Sequence, residues 1–224
     1  MKIVVDRQVC AGHALCAAKA PDVYRLDDEG QLRFDYTATS DAATPINLTS
    51  HAYFNLNGGT CDIRDHIIAI EADGYLQVDA RLIPEGRADV AGSAFDFRQP
   101  APIGPRLDWP DAQLELAGGF DHCYCLRSQH EPVPGQSRVA QTLREVASVY
   151  DPGSGRELRV STTETGLQFY SGNFLDGSLV GAAGQIYRQG DGFCLETQHY
   201  PDSPNHKNFP NVILHPGQTF QSRT

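Results

Sequence analysis

Short runs of alternating apolar and polar residues recur along most of this chain, with turn-forming residues between them. The run LRFDYTAT at 32–39 is one example, and REVASVYD at 144–151 is another. Such alternation places apolar side chains on one face of a strand and polar side chains on the other. The 21 Gly and 14 Pro of the 224-residue chain favour many short strands over long helices. The sequence therefore predicts an all-β protein built as an antiparallel β-sandwich.

Further strand candidates follow the same pattern, and they lie at 121–127, 156–164, 167–174 and 192–198. The stretch 66–79 is expected to form two strands with the break at Asp73-Gly74, because this dipeptide is typical of turns. The polar, proline-containing stretch 130–138 is expected to be a surface loop.

Residues 1–31 differ from this pattern, which predicts a short N-terminal appendage followed by one domain at 32–224. MKIVV at 1–5 predicts a strand, and the alanine-rich stretch 11–20 predicts a short helix. The segment resembles the start of a small bacterial ferredoxin, in which Cys10 and Cys16 would hold a cluster. Cluster binding takes at least three cysteines, so a strand and helix packed on the main domain is the alternative to an electron carrier.

The net charge limits the possible binding partners, and the cysteine content bears on the cellular compartment. The formal net charge of −10 argues against nucleic acid and anionic membrane, and it is compatible with neutral sugars. No apolar stretch is long enough to span a bilayer, and the first residues do not read as a signal peptide. We therefore expect a cytoplasmic protein whose six cysteines are reduced.

Two titratable side chains stand out because each lies among strand-like apolar residues. His51 lies in NLTSHAYFNL at 47–56, and Glu196 lies in GFCLETQHYPDSPN at 192–205. A lone histidine in such a setting is usually packed and hydrogen-bonded, and the glutamate could equally lie on a solvated strand face. If it is buried instead, burial would raise its pKa towards the range in which it exchanges a proton near neutrality. A general acid and a general base are what proton transfer on a sugar ring requires.

Both blocks, and the segments between them, resemble the aldose 1-epimerase (galactose mutarotase) family over about residues 32–224. The resemblance implies the galactose mutarotase type of β-sandwich and a reaction that interconverts the α and β anomers of free hexoses such as galactose and glucose. It implies His51 as the general acid and Glu196 as the general base. It needs neither a metal nor an organic cofactor.

The same resemblance implies three residues that hold the sugar. Asp121, in GGFDHCY at 118–124, and Gln168, in TGLQFYSGNF at 165–174, match positions that bind sugar hydroxyls. Tyr53 would stack its ring on the sugar. The expected small-molecule partner is thus a monosaccharide.

The N-terminal portion of the family, which carries an Arg and a second His of the sugar pocket, has no counterpart in residues 1–31. The sandwich is therefore expected to be incomplete, with exposed strand edges that could pair with a second copy of the chain. The alternative functions are a non-catalytic carbohydrate-binding domain and an inactive truncated or chimeric epimerase. A retaining glycosidase using Asp121 and Glu196 is a more distant alternative.

No metal site is expected. His122 and Cys123 are adjacent in a strand candidate, so they should point to opposite faces and cannot chelate one ion together. His199, His206 and His215 lie among Pro and Asn residues and are expected to be solvent-exposed.

Overall fold

The computed structural model describes residues 2–4, 32–127, 142–181 and 184–224. These residues form antiparallel strands with two short helices, α1 (Ile103–Leu107) and α2 (Ala112–Ala117), and a 3-10 turn at Ser203–Asn205. The strands are β1 (Lys2–Val4), β2 (Arg33–Ala38), β3 (Thr44–Pro45), β4 (Ile67–Ile70), β5 (Ala72–Val78), β6 (Pro84–Asp89), β7 (Ala101–Pro102), β8 (Asp121–Leu126), β9 (Arg144–Tyr150), β10 (Glu157–Thr162), β11 (Gly166–Tyr170), β12 (Asp176–Val180), β13 (Ile186–Arg188), β14 (Cys194–Gln198), β15 (Ile213–Leu214) and β16 (Phe220–Arg223). The all-β prediction is confirmed.

Two sheets form the body of the fold. A five-stranded sheet has the order β14-β11-β8-β5-β6, and a four-stranded sheet has the order β10-β9-β4-β7. Buried side chains from both sheets pack in one hydrophobic core, for example Ile68 and Val149 from the second sheet with Phe169 and Leu195 from the first. The two sheets thus face each other as a sandwich, in which apolar residues of alternate positions meet.

Smaller sheets flank this body. Strand β2 pairs with β1 on one side and β16 on the other, while β12 pairs with β13 and β15 pairs with β3. Phe34, Tyr36, Leu214 and Phe220, which belong to β2, β15 and β16, form a second, smaller core. The helix expected at 11–20 and the loop expected at 130–138 lie outside the described residues.

The predicted break at Asp73-Gly74 is wrong. The chain passes from one sheet to the other at Glu71, between β4 and β5, and Gly74 lies inside β5, where it pairs with Asp89 and Cys125. A Cβ on residue 74 would lie 2.9 Å from the backbone carbonyl oxygen of Ala88, and it would also displace the side chain of Arg87. Glycine is needed here for close packing within the sheet and not for a turn.

The five-stranded sheet ends at β14 and β6, and the four-stranded sheet ends at β10 and β7. These are the edges at which a second copy could add strands, and association through them stays a prediction. Within the described part of the chain, no helix is long and apolar enough to cross a membrane.

Candidate active site

One face of the five-stranded sheet carries a cluster of polar side chains. In the antiparallel register, Gln168 lies directly between Cys123 and Glu196, and Tyr170 lies directly between Asp121 and Cys194. Directly paired residues point to the same side of a sheet, and so do residues two apart in one strand. All six side chains therefore share one face, while Leu167, Phe169 and Leu195 occupy the opposite face and enter the core.

His51 reaches this face from a segment without regular secondary structure. Phe54 and Phe193 exchange two backbone hydrogen bonds, of 2.8 and 2.9 Å, which anchor the segment beside β14. His51 Nε2 then lies 3.7 Å from Glu196 Oε1. The imidazole side chain is 53% exposed and the glutamate side chain 11%, so the histidine faces solvent while the glutamate is largely enclosed.

Glu196 is buried among the residues of β14. Loss of solvent raises the pKa of its carboxyl group, the nearby His51 counteracts this, and the negative charge of Asp121 adds to the rise. The net direction is upward from the ordinary value of a glutamate. This is the environment that lets a carboxyl group take up and return a proton nearer to neutral pH.

Asp121 and Gln168 form a pair next to this carboxyl group. Gln168 Nε2 donates a hydrogen bond of 2.8 Å to Asp121 Oδ1. Burial raises the pKa of Asp121, whereas the bond from Gln168 and the charge of His51 lower it, and the first effect is the largest. The remaining oxygens and the amide offer both acceptors and donors, which is what a sugar hydroxyl needs.

The start of β8, where Asp121 lies, depends on two glycines. Gly118 ends helix α2 in the left-handed conformation, at φ 66°, and Gly119 follows at φ 144°. A Cβ on Gly119 would collide with the side chain of Asn173. The two glycines therefore let the backbone before β8 pass close to Asn173, which sets Asp121 at the edge of the polar face.

Three comparisons bear on this chain, and the first is with protein-family models. The model described as aldose 1-epimerase matches residues 19–224. This chain belongs to the aldose 1-epimerase family. The match begins inside the segment 1–31, so the boundary between an appendage and the main domain at residue 32 stays a prediction.

Known relatives agree with this assignment. The chain is 46% identical over 204 residues to a galactose mutarotase of Bos taurus, covering 90% of this chain and 55% of the relative. It is 38% identical over 204 residues to an aldose 1-epimerase of Escherichia coli, covering 90% of this chain and 56% of that protein. The chain thus spans about half the length of the curated relatives it matches.

Solved structures confirm the type of fold. A crystal structure of an aldose epimerase homologue from C. elegans matches with a TM-score of 0.73 and 26% identity, covering 88% of this chain and 55% of that one. A galactose 1-epimerase structure from Lactobacillus acidophilus matches with a TM-score of 0.67 and 30% identity, covering 86% of this chain and 51% of that one. The β-sandwich of galactose mutarotase type is confirmed.

The structure brings together the five residues that the family resemblance singled out. His51, Glu196, Asp121 and Gln168 cluster at the polar face, and the ring of Tyr53 lies 5.1 Å from the imidazole of His51, measured between ring centroids. Tyr53 is 49% exposed, so its ring is available to a ligand. The roles of these residues remain proposals.

Sequence reasoning missed two residues of this cluster. Tyr170 presents its ring edge to His51, with the ring centroids 6.0 Å apart, and Cys194 Sγ lies 3.4 Å from His51 Nδ1. The signal was strand alternation: Tyr170 lies two positions after Gln168, and Cys194 lies two positions before Glu196.

The other histidines have different surroundings. His122 points into the core, with its ring centroid 4.7 Å from that of Phe95, and burial lowers its pKa to about 4. His199 is not solvent-exposed as expected: it is buried and pairs through Nδ1 with Glu164. Within the described ranges, no group of three His, Cys, Asp or Glu residues could hold a metal ion.

Proposed function

We propose that this chain is an aldose 1-epimerase that interconverts the α and β anomers of free hexoses. The observation that carries the proposal is the 3.7 Å separation of His51 Nε2 from Glu196 Oε1 above a polar sheet face. The anomeric oxygen and the ring oxygen of a hexose are bonded to the same carbon. Two proton-transfer groups that serve them must therefore lie close together, as this imidazole and carboxylate do.

In this proposal Glu196 accepts the proton of the anomeric hydroxyl while His51 donates a proton to the ring oxygen. The bond between the anomeric carbon and the ring oxygen breaks, which leaves an open-chain aldehyde. After the aldehyde rotates about its bond to the next carbon, the former ring oxygen attacks the other face. The two protons return, and acid and base are both restored.

The Asp121–Gln168 pair is proposed to hold the sugar hydroxyls, and Tyr53 to cover the sugar ring. Their donors and acceptors suit an uncharged hexose, which the net charge of −10 does not repel. The relatives named galactose mutarotase support galactose as a substrate. Glucose is proposed as a second one. The chemistry of these side chains requires no metal or organic cofactor.

The alternative is a domain that binds sugar without catalysis, or an inactive epimerase, because the chain spans about half the length of its relatives. The 3.7 Å separation of His51 Nε2 from Glu196 Oε1 favours the enzyme, because sugar binding alone does not require a proton donor beside a proton acceptor. A retaining glycosidase finds no support in the family.

The test is to follow the optical rotation of freshly dissolved α-galactose with purified protein. We expect the relaxation rate to rise in proportion to protein concentration, and the same protein to leave a nitrophenyl galactoside intact. Galactose-dependent NMR shifts of Gln168 without faster relaxation would instead identify a binding domain.

We further propose a cytoplasmic location. The four cysteines within the described ranges, Cys61, Cys123, Cys125 and Cys194, are free thiols, which supports a reducing compartment.

A further inference from the structure

The imidazole of His51 lies between two residues of a single strand. Its Nε2 lies 3.7 Å from Glu196 Oε1, and its Nδ1 lies 3.4 Å from Cys194 Sγ. Cys194 and Glu196 are two positions apart in β14, so the pleat of the strand turns both side chains to the same face. Each ring nitrogen therefore has its own neighbour.

His51 depends on such contacts for its orientation. The residue lies outside regular secondary structure, and its side chain is 53% exposed. The rings of Tyr53 and Tyr170 flank the imidazole, but ring contacts do not distinguish one nitrogen from the other. Among the contacts of the described residues, the one with Cys194 is directed at Nδ1.

We propose that Cys194 is a positioning residue whose Sγ accepts the Nδ1 hydrogen of His51, so that Nε2 is the nitrogen that releases and regains the proton. The inference rests on the proposed epimerase function. In the cycle, the imidazolium gives its Nε2 proton to the ring oxygen and becomes a neutral imidazole that keeps hydrogen on Nδ1. On ring closure the bare Nε2 takes the proton back, so no hydrogen has to move between the two nitrogens.

A thiol suits this position better than a carboxylate. Cys194 is fully buried, and burial together with the charges of Glu196 and Asp121 raises the pKa of the thiol well above its ordinary value. The sulfur thus stays neutral and acts as a weak acceptor. A carboxylate in the same place would orient the ring but also hold its proton more tightly, which opposes donation to the sugar.

The decisive measurement is the nitrogen-15 NMR spectrum of His51 at a pH where the imidazole is neutral. In the wild-type protein we expect hydrogen on Nδ1. The Cys194→Ala variant should populate the other tautomer, and Cys194→Ser should restore the wild-type pattern because a hydroxyl group also accepts a hydrogen bond. We expect kcat for anomer exchange to fall about tenfold in Cys194→Ala, with KM little changed, because one orienting hydrogen bond is lost.

The matched control is Cys125→Ala, which removes another buried thiol of the same sheet that packs near Tyr200 and not near His51. It should change neither the tautomer nor kcat. Hydrogen on Nε2 in the wild-type protein, or an unchanged tautomer in Cys194→Ala, would overturn the inference. If the tautomers behave as expected but the wild-type protein does not accelerate anomer exchange, the positioning role stands and the epimerase proposal fails.

Discussion

Replacing Glu196 with Gln is expected to slow galactose anomer exchange by about 10²- to 10⁴-fold, the usual contribution of one general base. The glutamine side chain has nearly the same shape, but its amide cannot accept and return a proton at the anomeric hydroxyl. NMR saturation transfer between the two anomers, measured at equal protein concentration, gives both rates directly.

This variant should be at least as stable as the wild-type protein at pH 7. Burial raises the folded-state pKa of Glu196 above its unfolded value. The contribution of this carboxyl group therefore favours folding at low pH and is lost as the pH rises through the folded-state pKa. Glutamine carries no such charge. Urea unfolding tests this expected stability, and a folded variant that kept the wild-type rate of anomer exchange would exclude Glu196 as the base.

Replacing His199 with Leu is expected to lower the free energy of unfolding by about 1.5–3 kcal/mol, because it removes the buried hydrogen bond between His199 Nδ1 and the carboxyl group of Glu164. Leucine keeps roughly the same volume, so the loss reports on the pair and not on a cavity. Asn47 should keep its two backbone hydrogen bonds of 2.9 Å with residue 199 in this variant. Urea denaturation, monitored by circular dichroism, gives the difference in the free energy of unfolding between the variant and the wild-type protein.

The control is His215→Ala, which removes an exposed histidine and should change the free energy of unfolding by less than about 0.5 kcal/mol. If the two variants lost equal stability, the Glu164–His199 pair would not be a stabilising element of the fold.

Strand alternation predicted the strands of the sheet, while the family resemblance predicted the residues of the polar face, whose positions the observed alternation explains. Because side chains alternate strictly, the position of Leu195 in the core fixes Glu196 on the opposite face, and the same rule places Gln168 opposite Phe169. The family resemblance was needed to select His51, because nothing in a segment without regular structure shows where its side chains point. The Phe54–Phe193 bridge, a contact between distant parts of the chain, decides that position.

The predictions that were wrong, and the site residue that was missed, also depend on contacts between separate parts of the chain. Asp73-Gly74 has the composition of a turn, yet the backbone carbonyl of Ala88 on the neighbouring strand leaves no room for a Cβ at position 74. His199 follows a strand among polar residues, and only the fold brings Glu164 against it. Cys194 lies among apolar strand residues in the sequence, and only the fold brings His51 beside it. In each case the deciding partner is remote in sequence.

The most direct measurement of the central claim is a double-mutant cycle on anomer exchange with His51→Asn, Glu196→Gln and the combined variant. If the imidazole and the carboxylate act on one sugar in one proton-transfer event, removing either disables the other, and the combined variant should be no slower than the slower single variant within a few-fold. Losses that multiply, so that the combined variant is slower by the product of both single effects, would contradict this account.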